Sequence, residues 1–243
     1  MTIVWRIETF DTLPSTQETV KDRAAKGEAE GFVVQALEQT GGKGRHGREW
    51  VSPKGNLYLS ILLRPDYEAR RIGEFSFIAA LALFETVLEH VQDQSLVMLK
   101  WPNDVLLGGK KCAGILLESG LQPDGKVDWL VVGIGLNVTS APPIGSALTD
   151  YAQNLLDIAL IRDKLLAHID TYISLWQDKG FNEIRRLWMS RAHKPGAPLQ
   201  IKLGETLKQG YFHAIDEGGN LLLRLENGGI ETITAGDVYA IGD

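Results

Sequence analysis

The stretch GGKGRHGREW, residues 41–50, sets Gly42, Gly44 and Gly47 in a Gly-x-Gly-x-x-Gly spacing with Lys43, Arg45, His46 and Arg48 among them. Such a pattern serves a dinucleotide turn, a nucleic-acid contact, or a cationic cradle for another phosphate. A dinucleotide turn needs its third glycine to open a helix, so that pyrophosphate rests on the helix N-terminus. Here the loop runs into EWVSPKGN, where Pro53 and Gly55 oppose a helix, and then into a strand-like apolar run. The glycine spacing matches and its context does not. Glycine also lets a backbone come close to an anion. Arg neutralises phosphate oxygens through a planar fork, and Lys does so as a point charge. A merely solvated loop is the plain alternative, so the rest of the chain must decide.

A second constellation lies in LKWPNDVLLGGKKCAGILLE, residues 99–118, where Lys100, Trp101, Asn103 and Asp104 share a tight turn and Lys110 and Lys111 follow one hairpin later. Asp104 beside Asn103 has the chemistry to hold a divalent cation or to take a proton. The same four residues also have the composition of an ordinary turn. Cys112 lacks a persuasive His–Asp partner pattern and reads as a small buried residue. His46 reads as a solubilising loop residue, and His168 and His193 as helix and linker residues.

These residues need a scaffold, and 243 residues with 44% apolar and 23% charged content can supply a large globular core. The net charge of −6 argues against general nucleic-acid binding, so the cationic loop is a local feature on an acidic background. One cysteine excludes an internal disulfide and a cysteine-based metal cluster. Neither a signal peptide nor an apolar run of membrane-spanning length is present, and a reducing cytoplasm is the expected home.

TIVWRIET alternates Ile3, Trp5 and Ile7, which predicts a half-buried strand. Ser15 and Glu18 have capping-box spacing for a helix that ends near Ala25, before Gly27. FVVQALEQ and NLYLSILLR predict strands on either side of the glycine loop, and EFSFIAALALFETVLEHV predicts a helix packed on a sheet. SLVMLKW, DVLL, CAGILLES and WLVVGIGLNV follow as strands, with turns at Gly108-Gly109 and QPDG. Residues 139–150 read as a loop that is mobile without a ligand. Leu165, Ile169, Tyr172, Ile173 and Trp176 mark one face of a helix stopped by Gly180, and FNEIRRLWMSRA continues the helical region. After Lys194-Pro195-Gly196 the chain turns to short, regularly spaced strands, the mark of a small β-barrel. The domains expected are residues 1–193 and 194–243.

QTGGKGRHGREW, KWPND, KKCAGILLE and VVGIGLNV, in this order, resemble the biotin protein ligases, and PSTQET resembles the Ser-Thr-Asn segment before that family's first helix. The resemblance implies an α/β (α+β) fold: a class II aminoacyl-tRNA synthetase-like catalytic domain with a mixed, largely antiparallel sheet, then an SH3-like barrel. It implies biotin contacts from Ser15, Thr16, Gln17, Gln39, Lys43, Gly44, Arg45, Lys111 and Gly114. Lys43, Arg45, Arg48, Trp50, Asn103, Lys111 and Asn137 would meet the nucleotide, with Trp50 covering the adenine. Gly114 and Gly135 would let the ligand approach the backbone closely. Lys111, Arg45 and Asp104 would be catalytic, with contact to a Mg²⁺ held mainly by ATP as the alternative role of Asp104.

The implied reaction joins biotin and Mg-ATP into biotinyl-5′-adenylate, then passes biotin to a lysine of a biotin carboxyl carrier domain, that of acetyl-CoA carboxylase foremost. Before ligand arrives the basic loop is expected to be disordered by like-charge repulsion, and then to close as a lid. Three departures stand out: Lys43 and His46 replace Arg, Gln17 replaces Asn and is free to bind or to face solvent, and His213-Ala214 stands where glycine is common. Only about fourteen residues precede Ser15, too few for the DNA-binding domain that some members carry, so no DNA or membrane partner is expected. Pairing into a homodimer through sheet edges is open. The rival readings are a lipoate-type ligase on the same fold, a transcriptional regulator, and a non-catalytic biotin-binding protein.

Overall fold

The runs FVVQA and LYLSILL carry apolar residues toward both sides, and strands of that kind need cover on both faces. The computed structural model, which describes residues 3–152 and 154–240, provides that cover. β2 (Phe32–Ala36) and β3 (Leu57–Leu63) are buried along their whole length in a seven-stranded sheet. Its other strands are β1 (Arg6–Phe10), β4 (Val97–Lys100), β5 (Asp104–Leu107), β6 (Lys110–Leu121) and β7 (Val127–Leu136). The order is β1-β2-β3-β7-β6-β5-β4, parallel between β1 and β2 and antiparallel elsewhere, so the sheet is mixed and largely antiparallel as expected.

Helix α2 (Glu74–Leu88) is buried on nearly every side because it lies between one face of the sheet and two further helices, α3 (Ile158–Lys179) and α4 (Phe181–Ser190). Leu165, Ile169, Tyr172, Ile173 and Trp176 of α3 all face this core, and Gly180, at φ 73°, ends the helix where it was predicted to end. The other face is covered by α1 (Thr16–Ala25), whose Val20 and Ala24 pack on Phe32, Val34, Leu62 and Val131.

Two local expectations fail. The predicted half-buried first strand starts only at Arg6, Ile7 is exposed, and Ile3 and Trp5 pack on the core from the segment ahead of it. This is an edge strand, so alternation there does not define a buried face. Ser15 is in the N-cap position of α1, but its side chain makes no capping hydrogen bond. Glu18 instead faces lysine side chains, which removes the other half of the capping box.

Residues 198–240 form a five-stranded antiparallel sheet, SH3-like as expected. It comprises β8 (Pro198–Leu203), β9 (Thr206–Ile215), β10 (Leu221–Arg224), β11 (Ile230–Ile233) and β12 (Asp237–Ala240), in the order β11-β10-β9-β8-β12. Leu222 pairs with Ala214 and Leu223 with Phe212, which leaves His213 as the extra residue of a bulge. This unit meets the turn after β4 and the helices α2 and α4: the Trp101 indole donates to the Gly219 carbonyl at 2.9 Å, and Gly219 packs against Phe77 and Phe181. No helix among the described residues is long and apolar enough to cross a membrane.

Candidate functional site

On the α1 side of the sheet, Gly114 of β6 is paired directly with Gly135 of β7, and Gly133 lies two residues away. Without side chains at these points the strands form a bare floor. Above it lies a cleft of about 850 Å³, within the usual size range for small-molecule sites. The start of α1, the basic loop, the Trp101–Asp104 turn and strand β12 wall it in.

One end of the cleft is polar but uncharged. Ser15, Thr16 and Gln17 are buried at the first turn of α1, and Ser60 is buried on β3. Gln17 does not face solvent: its Oε1 accepts from Ser60 Oγ at 3.0 Å, and its amide nitrogen is 3.4 Å from the Val131 carbonyl. Thr16 Oγ1 lies 2.9 Å from Ser60 Oγ, and the Thr16 backbone N–H donates to Gln39 Oε1 at 2.9 Å.

The other end is charged. The basic loop leaves β2 and returns through a bridge between Lys43 and Glu49, with Gly44 N–H donating to the Arg48 carbonyl at 2.7 Å. Its tip, Arg45–Gly47, is a single 3-10 turn in which His46 takes φ 56° and Gly47 φ 72°. No helix follows the third glycine, in keeping with the rejection of a dinucleotide turn. The expected repulsion between loop cations is offset by acids from elsewhere. Lys43 Nζ lies 2.6 Å from Glu18, and Arg48 pairs with Asp237 of β12. The Lys43 hydrogen bond holds the Glu18 carboxyl below the usual carboxylate range. Arg45 leans inward to donate to Asn103 Oδ1 at 3.3 Å, and burial lowers the pKa of its guanidinium, which remains cationic.

Asn103 is itself fixed, since its side-chain nitrogen donates to the Ile115 carbonyl at 2.6 Å. Asp104 is buried between two cations, with Lys111 Nζ at 2.6 Å from Oδ1 and Lys100 Nζ at 3.2 Å from Oδ2. Lys111 also stands over the Trp50 ring, 5.2 Å from its centroid. The space above the floor glycines is filled by this pair. A Cβ on Gly135 would fall 2.5 Å from the Trp50 indole, and one on Gly114 would meet Lys111 at 3.0 Å. The close approach expected for a ligand is made here by Trp50, whose indole N–H is buried without a partner. Cys112 is buried as expected, its thiol pushed up to about 12 by burial.

Asn137 also reaches the cleft wall, but its side-chain nitrogen donates to the Ser146 carbonyl at 3.2 Å. The 139–150 segment, expected to be mobile, is tied at both ends. Asn56 Oδ1 accepts three successive backbone N–H groups from Val138 to Ser140, and Ser146 N–H donates to the Lys111 carbonyl at 3.0 Å.

Every predicted site residue therefore lines this one cleft. Sequence reasoning missed Ser60, His193, Asp237 and Tyr239, which line it too. His193 is buried and not an ordinary linker residue. Asp237 and Tyr239 are two apart on a strand and so share a face, but nothing in the sequence says which sheet that face meets. Among the described residues no group of three or more His, Cys, Asp or Glu is arranged to hold a metal. Asp104 is a single buried carboxylate on the cleft, a donor set that suits Mg²⁺ held mainly by substrate phosphates rather than a protein cage.

Residues 9–137 match the model of the biotin/lipoate A/B protein ligase family, and residues 198–240 match the biotin protein ligase C terminal domain. The biotin–[acetyl-CoA-carboxylase] ligase of Paracoccus denitrificans is 37% identical over 215 residues, 85% of this chain and 89% of its own. The biotin protein ligase of Aquifex aeolicus in complex with biotin and ATP superposes with a TM-score of 0.81 at 29% identity, covering 96% of this chain and 97% of that one. The Leishmania major biotin protein ligase in complex with biotinyl-5-AMP gives 0.65 at 25% identity, covering 95% and 99%.

Proposed function

The chain belongs to the biotin protein ligases of the biotin/lipoate A/B protein ligase family, and from that premise we propose that it activates biotin as biotinyl-5′-adenylate and transfers it to a lysine of a biotin carboxyl carrier domain. One observation carries this reading: a neutral hydrogen-bonding pocket and a cluster of cations open into the same cleft on one glycine-bearing face of the sheet. Biotin has a neutral ureido head and an anionic tail, and the two ends of the cleft match them.

In the first step a carboxylate oxygen of biotin attacks the α-phosphorus of ATP and pyrophosphate leaves. Two anions must meet, so the protein's task is alignment and neutralisation of charge, with no protein nucleophile. Lys111 and Arg45 are the residues for the reacting carboxylate and α-phosphate, and Lys43 and Arg48 serve the outer phosphates. Mg²⁺, held mainly by the polyphosphate with Asp104 nearby, would supply further neutralisation of charge. Thr16, Gln17 and Gln39 are the residues for the ureido head.

In the second step the carrier's ε-amine attacks the acyl carbon and AMP leaves. Asp104, already flanked by two ammonium groups, orients that amine and accepts the proton it releases. The carrier of acetyl-CoA carboxylase is the partner of choice, by analogy with the named activity of the Paracoccus relative. The loop closes over the mixed anhydride and keeps water from it.

ATP–pyrophosphate exchange measured with biotin, with lipoate and with neither acid tests the proposal. Exchange with biotin alone is expected. Exchange with lipoate would reassign the substrate, and none with either acid from folded protein would reduce the site to binding.

A further inference from the structure

Ser52 is buried, does not line the cleft, and has no role in the proposed chemistry. It sits where the basic loop rejoins the sheet. Backbone Gln39 N–H donates to the Ser52 carbonyl at 3.1 Å, which closes the loop at its base. The side chains repeat the link: Gln39 Nε2 donates to Ser52 Oγ at 3.0 Å, and Ser52 Oγ donates to the Trp50 carbonyl at 2.7 Å.

Proton counting gives these bonds a direction. The Thr16 backbone N–H can only donate, so the amide atom of Gln39 facing it is the oxygen, and Nε2 faces Ser52. Ser52 has one hydroxyl proton, and it goes to the Trp50 carbonyl. Ser60 has one as well, directed at Gln17 Oε1, while the single Thr16 hydroxyl proton is shared between Gln39 Oε1 at 3.2 Å and Ser60 Oγ at 2.9 Å. A single chain of hydrogen bonds thus runs from Gln17 through Ser60, Thr16, Gln39 and Ser52 to the backbone of Trp50. The node is closely packed: a Cβ on Gly42 would fall 2.4 Å from the Trp50 carbonyl and 2.6 Å from Ser52 Oγ.

We propose that Ser52 is a positioning residue that couples occupancy of the neutral end of the cleft to the conformation of the basic loop. A ureido group that binds the Gln39 amide competes for the amide's hydrogen bonds. Any rotation of Gln39 reaches Ser52 directly, and through it the carbonyl of Trp50, whose ring covers the floor. Ser52 does so without touching a reactant. The proposal rests on the biotin reading of the neutral end.

The test uses the full chain with Ser52→Ala, Ser52→Thr and Ser52→Val. The last two share a shape and differ in the hydroxyl. Hydrogen exchange of peptides spanning residues 41–50 is followed with and without saturating biotin, alongside ATP–pyrophosphate exchange. In wild type and Ser52→Thr, biotin should slow exchange in the loop. In Ser52→Ala and Ser52→Val that slowing should disappear, and the biotin KM should rise about tenfold, the worth of one buried hydrogen bond, with kcat changed less. Equal slowing by biotin in wild type and Ser52→Ala overturns the coupling, as does its absence in wild type. Equal impairment of Ser52→Thr and Ser52→Val assigns Ser52 to packing alone. If wild type shows no biotin-dependent pyrophosphate exchange but biotin still slows loop exchange through Ser52, the activity reading fails and the coupling stands.

Discussion

At the α1 end of the cleft Thr16, Gln17, Gln39 and Ser60 satisfy one another through neutral, mostly buried hydrogen bonds. At the loop end Lys43, Arg48 and Lys111 are held by the carboxylates of Glu18, Asp237 and Asp104. A buried neutral network has few alternative arrangements, because leaving any member unsatisfied costs about 1–3 kcal/mol. Ion pairs on half-exposed side chains such as Lys43 with Glu18 contribute only ~0–1 kcal/mol, so a phosphate can take the carboxylate's place at little cost. One end is preorganised and the other is provisionally neutralised. Under the proposed function, recognition falls to the first and chemistry to the second.

Three measurements break or sharpen this contrast. The largest effect is expected at the charged end: Lys111→Ala should lower biotin-dependent pyrophosphate exchange about 10²–10³-fold, the scale seen when a transition-state donor is removed, with the melting temperature little changed. Near-normal turnover would remove Lys111 from the chemistry. At the neutral end Thr16→Val should raise the biotin KM about tenfold and leave kcat close to wild type, the pattern of an interaction made equally in ground and transition states. A loss of kcat as deep as that of Lys111→Ala would erase the distinction between the two ends.

The smallest effect concerns pH. The folded Glu18 pKa is depressed by Lys43, so the tether contributes above the unfolded value and is lost as pH falls through the folded one. Protease cleavage within residues 41–50 should therefore increase below about pH 4.5, the ordinary value for the group, and Glu18→Gln should already cleave readily at neutral pH. Cleavage of that variant indistinguishable from wild type at neutral pH would show that Glu18 does not hold the loop.

The sequence made the strands and the cations legible, because both are local patterns, whereas the close approach at Gly114 and Gly135 came only from the family resemblance. Gly114 and Gly135 lie in strands with clear apolar patterns, and KWPND and KK stand at hairpin turns. The helices α2 and α3 were equally plain from their apolar faces. What stayed hidden depends on contacts between distant segments. Ser52 lies in a short polar run whose meaning comes from Gln39 and Trp50 folding back on it. Asp237 reaches the loop because β12 docks beside it, which no spacing encodes. Ser15 had the right neighbours for a cap and still makes none. The charge pattern of the loop suggested repulsion because Glu18 and Asp237 could not be placed opposite it.

The Trp50 ring lying on Gly114 and Gly135 bears on how binding will look in a calorimeter. A ligand that reaches those backbone atoms must exchange places with the indole, so apolar surface of the floor is dry before it arrives and dry afterwards. Heat-capacity changes follow the net apolar area withdrawn from water. The heat capacity of association will therefore be less negative than the contact area of the bound ligand implies, and the shortfall measures the surface that Trp50 had already sheltered.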